Sequence, residues 1–256
     1  MRSELFFKHY SGSKMGIRKK AKTFLSTNHP RTYSAVVRVR ETLVGSAWRV
    51  WLIGRSPKNV FSTMYAKGLW GGRESQSGTG SGLEQTKQVR EQLPLLINEL
   101  NIKRMLDAPC GDFHWMKEVE LALDEYVGAD IVEEVIADNA KKYADRARRF
   151  VVLDIMNDTL PTADLILCRD CLVHLSFHDA SNVIHNFKQS KSRYLLTTTF
   201  TEQAGNTNIL TGEWRPLNLH KAPFNFPEPI RLIHEDCVPE NGFDKCLGLW
   251  RLADLP

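Results

Sequence analysis

The chain lacks a long apolar run, a phosphate-cradling G-x-G-x-x-G turn, a paired cysteine framework and, over its first 58 residues, almost any acid. Arg38, Arg40, Glu41 and Arg49 break up the only N-terminal stretch that approaches bilayer length, so no transmembrane helix is expected. The same region has no unbroken apolar segment of the kind a secretory signal requires. The missing glycines argue against a dinucleotide and hence against an oxidoreductase. The five cysteines, Cys110, Cys168, Cys171, Cys237 and Cys246, are odd in number. Their one C-R-D-C pair has no matching second pair, so no metal site is expected, and reduced thiols in the cytoplasm are the default.

With 256 residues, 42% of them apolar, the chain can bury one substantial core. The expected organisation is a basic extension over residues 1–58 followed by a catalytic-sized domain over 59–256. The net charge of +4 conceals an asymmetry: residues 1–58 carry 13 Lys and Arg against 2 acids. Three readings of this arm stand side by side. Between Tyr33 and Ile53 the apolar positions recur at helical spacing among arginines, as in an interfacial helix on a membrane surface. A helix packed on the body with a solvated basic face fits equally. Residues 1–33 also have the composition of an organellar transit peptide.

From Arg104 short apolar strands alternate with helical patterns: RMLDA, then FHWMKEVELAL as a turn into a helix, EYVGADI, a helix over 133–147, RRFVVLDI, TADLILC, a helix over 175–189, and RYLLTTTF. A helix over 84–100 with Pro94 as a kink precedes them. Such alternation implies an α/β, doubly wound, Rossmann-like sheet that is mostly parallel. The segments IRLIHED and DKCLGLWRLADL, about ten residues apart, suggest an antiparallel C-terminal edge.

In doubly wound sheets ligands sit beyond the carboxyl ends of the strands. The residues expected there are Asp107, Ala108 and Gly111 after the first strand, Asp130 and Ile131 after the second, Asp154 and Ile155 after the third, and Arg169, Asp170 and His174 after the fourth. This rim of carboxylates would repel a polyphosphate and suits a cationic, hydroxyl-rich ligand. Asp130 is placed to accept both hydroxyls of a ribose, and Gly111 allows close backbone approach. If a helical turn follows Cys168, Asp170 and His174 share a face at i and i+4, and the carboxylate could orient the imidazole as a general base. The bland alternative makes His174 a packed structural residue.

The pattern of Asp107 and Gly111, Asp130 and Asp154 at successive strand ends resembles the class I S-adenosylmethionine-dependent methyltransferases. More narrowly, the blocks WGGRESQSGTGSGLEQT, LDAPCGDFHWM, VGADIVEEVI, LPTADLILCRDCLVHLS and GEWRPLNLHKAPFNFP resemble a little-described bacterial-type group of them. The resemblance implies an enzyme that transfers a methyl group from S-adenosylmethionine. It assigns Asp107 and Gly111 to the methionine part, Asp130 to the ribose, Ile131 to the adenine face and Asp154 to the adenine amino group. Ala108, Ile155 and Arg169 complete the implied cofactor set. The sequence departs from the family in reading D-A-P-C-G-D-F where D-x-G-x-G-x-G is usual.

The loop 74–81, with Trp70 as anchor and Ser81 at its end, reads as a cover over the site, or as a flexible linker. Trp214, Arg215 and Asn218 in the proline-rich tail mix polar and aromatic groups as a substrate pocket does, or form a rigid cover for the sheet edge. The expected acceptor is a small molecule or glycan hydroxyl. The alternatives are a nucleic acid held by the basic arm, and a non-catalytic cofactor-binding protein.

Overall fold

A computed structural model describes residues 45–235 and 244–256. Residues 1–44, with the whole transit reading and the first part of the interfacial one, lie outside the described residues, as does Cys237. The chain divides into two compact units, parted between Arg55 and Ser56. In the first, residues 45–52 are helical. Trp48 stacks on Trp51 with ring centroids 4.7 Å apart, and the Arg55 guanidinium lies 4.4 Å from the Trp51 ring. Among the described residues no helix is long and apolar enough to cross a membrane.

The second unit opens with α1 (Pro57–Ala66), capped by the Ser56 hydroxyl, which accepts from the Asn59 amide, with Pro57 at its first turn. Then follow α2 (Lys87–Glu99), β1 (Arg104–Asp107), β2 (Glu125–Asp130), α3 (Glu133–Tyr143), β3 (Arg148–Val152) and β4 (Leu165–Cys168). α4 (Phe177–Gln189), β5 (Tyr194–Phe200), β6 (Arg231–His234) and β7 (Lys245–Arg251) complete it. The seven strands are ordered β3-β2-β1-β4-β5-β7-β6. β1 to β5 are parallel, while β7 runs antiparallel to both β5 and β6. The alternation of apolar strands and helices had implied this architecture, including the antiparallel edge.

Strand alternation sorts side chains between two cores. On one face Met105, Leu167, Leu196 and Leu247 meet Val89, Leu93 and Ile97 of α2 and Ile136 of α3. On the other Leu106, Ile166, Leu195 and Trp250 meet Val183 and Phe187 of α4 and Leu217, Leu219, Phe224 and Phe226 of the tail. The tail is thus a packed cover for that face.

One expected helix is absent. The segment FHWMKEVELAL holds only a 3-10 turn at Met116–Glu118. Val119, Leu121 and Leu123 contact the core at a spacing of two, a period that an extended chain satisfies and a helix does not. α3 also stops at Tyr143, four residues earlier than its pattern suggested.

Candidate functional site

Strand order reverses between β1 and β4, the point at whose carboxyl ends doubly wound sheets bind their ligands. Asp107 ends β1 and is buried. One carboxylate oxygen accepts a 2.5 Å hydrogen bond from the Tyr126 hydroxyl. Burial raises its pKa to about 7, against the Tyr126 bond, while nearby Asp130 raises it further. Ala108 is fully buried and its amide donates to the Leu167 carbonyl, 2.9 Å, which ties the first loop to β4.

Asp130, at the end of β2, holds that loop from the other side. Its Oδ2 accepts from the Gly111 amide at 3.2 Å and its Oδ1 from the Val132 amide at 3.0 Å. Burial raises its pKa to about 6 despite these bonds. Asn139 of α3 donates 2.7 Å to the Gly111 carbonyl, so both polar groups of this glycine are fixed. Gly111 adopts φ +52°. A Cβ there would lie 2.3 Å from the Ser77 hydroxyl, so the group that approaches this glycine in the structure is Ser77.

Ser77 belongs to an ordered loop. Asp112 accepts from the Ser75 hydroxyl at 2.9 Å, the Ser77 hydroxyl at 3.2 Å and the Gln76 amide at 2.7 Å. The Ser77 hydroxyl also accepts from the Asp112 amide at 2.9 Å. The linker reading therefore fails for residues 75–77. Asp112 is what fastens the loop. Trp70 stacks on Phe61, centroids 6.3 Å apart. Ser81 closes a 3-10 turn, its amide donating to the Gly78 carbonyl.

Asp154 caps a local turn, accepting from the Met156 amide and the Asn157 side chain. Ile131 is half-buried and Ile155 buried, and the Ile155 carbonyl accepts from Asn186.

Two expectations at the end of β4 need correction. The first concerns Asp170 and His174. Asp170 has φ +53° and Leu172–His174 is a 3-10 turn, so no helix presents the two on one face. Asp170 faces Lys245 at 2.5 Å and Arg169 at 3.2 Å instead. Burial pushes its pKa up, but these two cations override that and hold it at about 2. What orients His174 is the Glu213 carbonyl, 3.0 Å from Nδ1. Burial lowers the His174 pKa, which favours the neutral ring.

The second concerns Arg169. Its guanidinium is buried and gives both Nε and Nη2 to Glu235, at 3.2 and 2.5 Å, and Nη2 also to the Gly80 carbonyl, 2.8 Å. It lies 5.6 Å from the Trp115 ring. Lys245 contacts Glu235 as well, at 3.1 Å. Arg169 is therefore a keystone of a four-charge cluster joining β4, the 79–81 turn and the β6–β7 hairpin. Glu235 and Lys245 were not singled out in the sequence, where they lie 66 residues beyond Arg169 and 75 beyond Asp170.

In the tail, Asn218 gives its amide hydrogens to the Thr201 and Gln203 carbonyls and accepts from the His220 amide. It braces the tail and has no side-chain donor left for a substrate. Arg215 is buried over Phe177, with Nη1 donating 3.0 Å to the Leu172 carbonyl. Burial lowers its pKa to about 10. Trp214 meets Phe200 edge-on.

A pH prediction follows from the two buried acids. Both have folded pKa values above the ordinary carboxylate value, so the stability linked to their protonation is present at acid pH and lost as pH rises through about 6 and 7. Asp107→Asn removes one of them. Between about pH 5 and pH 8, ligand-free wild type should lose on the order of 3 kcal/mol relative to this variant in denaturant titrations. A difference that stays flat with pH contradicts the assignment.

No protein-family model and no curated protein matches the sequence. Solved structures do match. One is the 1,6-didemethyltoxoflavin-N1-methyltransferase of Burkholderia thailandensis with bound 1,6-didemethyltoxoflavin and S-adenosylhomocysteine, at TM-score 0.55 and 16% identity, over 77% of this chain and 90% of that one. Another is human N-acetylserotonin methyltransferase in complex with S-adenosylmethionine, at TM-score 0.51 and 15% identity, over 76% of this chain and 60% of that one. At these identities the likeness is one of architecture: the chain has the Rossmann-like fold of these methyltransferases.

Proposed function

We propose that the protein is an S-adenosylmethionine-dependent methyltransferase acting on a small-molecule hydroxyl. The observation that carries this reading is the pair Asp107 and Asp130, buried at adjacent strand ends beside the switch point, with the Gly111 amide bonded to Asp130. The donor set fits the cofactor. Asp130 accepts from the Gly111 and Val132 amides and is also favoured by the Ile131 amide, and the roughly four lone-pair sites of a carboxylate leave acceptor capacity for a ribose diol. Asp107 supplies negative charge for a ligand bearing ammonium and sulfonium groups, and neither acid suits a pyrophosphate. Ile131 offers apolar surface to an adenine. Asp154, engaged in its own turn, keeps acceptor capacity for an amino group. The 75–81 loop, pinned by Asp112 and Arg169, is the cover.

When bound, S-adenosylmethionine supplies an electrophilic methyl group on sulfur. The residues of the chain position the acceptor and manage its proton. A carbonyl only accepts, so the Glu213 contact puts the His174 proton on Nδ1 and leaves Nε2 as a lone-pair acceptor. His174 is thus preset as a neutral general base toward a hydroxyl. Trp214 and Arg215 flank it on the tail. The two structural neighbours above bear names of enzymes acting on small molecules, which supports an acceptor of that size.

With methyl-labelled cofactor and a panel of small hydroxyl acceptors, wild type should label at least one of them. His174→Ala should lower that turnover about 100-fold, within the usual range for a general base, with cofactor affinity nearly unchanged. Parental turnover in the variant returns His174 to a packing role, and labelling of none of the panel overturns the acceptor class.

A further inference from the structure

At the mouth of the β6–β7 hairpin, three side chains from its two arms converge outside the site described above. His234 and Cys246 are direct partners in the β6–β7 ladder, so they share a sheet face, and Asp244 lies two residues from Cys246 on that same side. The three possible ligand atoms form a near-equilateral triangle. His234 Nδ1 and Asp244 Oδ1 are 3.2 Å apart, Cys246 Sγ and His234 Nδ1 3.3 Å, and Cys246 Sγ and Asp244 Oδ1 3.3 Å. Among the described residues this is the group of histidine, cysteine and acid side chains compact enough to hold a metal ion.

We infer that His234, Asp244 and Cys246 form a zinc site. Tetrahedral zinc with bonds of about 2.0–2.1 Å to nitrogen, 2.0–2.2 Å to oxygen and 2.3 Å to sulfur sets its ligands roughly 3.3–3.6 Å apart, close to the edges of this triangle. One imidazole, one carboxylate and one thiolate make a donor set of mixed softness that suits zinc and whose two negative charges balance the ion. The Cys246 thiol releases its proton to solvent on binding, and the His234 imidazole and the Asp244 carboxylate each give the ion a lone pair. The outer support is present as well: the Thr201 hydroxyl donates to the other Asp244 oxygen, which aims Oδ1 at the triangle. Cys246 is buried at the base and His234 exposed at the top, so an ion has a route in, and three protein ligands leave a fourth position for water.

The site is distinct from the crevice. Lys245 and Glu235, the neighbours of its ligands, face the Arg169 cluster from the opposite side of the sheet. Zinc would therefore fasten the hairpin that carries two of the four clustered charges.

The experiment strips the full-length protein with a chelator and titrates zinc against a chromophoric competitor, with native mass spectrometry to count the ions. Wild type should hold one zinc per chain and gain thermal stability from it. His234→Ala, whose exposed side chain can be removed without disturbing the core, and Asp244→Asn should each weaken binding by about 100-fold or more, since even outer-sphere partners are worth 10–100-fold. Circular dichroism confirms that the variants are folded. Absence of zinc from wild type, or parental zinc affinity in folded His234→Ala, overturns the assignment.

Discussion

Arg169→Met is expected to lower the stability of the folded chain by about 3 kcal/mol, the low end of what breaking a buried ion pair costs. The size follows from what remains. Glu235 is buried and loses its two-pronged partner, leaving Lys245 alone to balance both Glu235 and Asp170. Lys245 offsets part of the loss, which is why the low end applies. The Gly80 carbonyl loses its donor at the same time, so the 79–81 turn should loosen and become accessible to proteolysis. Adding Glu235→Gln to Arg169→Met should recover a measurable part of the stability, because the orphaned charge is removed with its partner. Guanidinium titrations of the two single variants and the double variant form the cycle. A single variant within about 0.5 kcal/mol of wild type, the scatter of an ordinary surface change, would show that the cluster does not hold the rim together.

Asp130→Ala should weaken S-adenosylmethionine binding by about 100-fold. A charged acceptor hydrogen bond contributes roughly 1.5–3 kcal/mol, and this carboxylate is proposed to receive two from the ribose. Its removal also frees the Gly111 and Val132 amides, so the first loop loses its alignment. The ligand-free fold should tolerate the change, because burying this carboxylate is unfavourable in itself, as its raised pKa records. The variant is thus expected to fold, to melt near wild type without ligand, and to lose most of the thermal shift that cofactor produces. Unchanged affinity by calorimetry removes Asp130 from the ribose.

The strands and their rim acids were legible in the sequence because both depend on short-range pattern. Buried parallel strands are nearly continuous apolar runs, and the residue after each is placed by the fold. Helix existence was less legible after β1, where Phe113, Trp115 and Met116 imitate a helical start but Val119, Leu121 and Leu123 continue at period two. The pairing of Asp170 with His174 failed for a related reason: an i, i+4 spacing has meaning only on a helix, and the positive φ of Asp170 breaks one before it begins. The partners that replaced it are distant in sequence. Glu213, Glu235 and Lys245 reach the end of β4 only because β7 inserts beside β5 and the tail folds over the α4 face. The role of Asp112 was not legible, because it depends on a loop 35 to 37 residues earlier.

Direct titration of the purified protein with S-adenosylmethionine and S-adenosylhomocysteine by calorimetry tests the central claim. The buried pair Asp107 and Asp130 predicts micromolar binding of S-adenosylmethionine that strengthens as pH rises through about 6 to 7, where both acids ionise toward a cationic ligand. No binding of either compound across that range would mean that the strand-end acids serve another ligand, and the methyltransferase reading would fall.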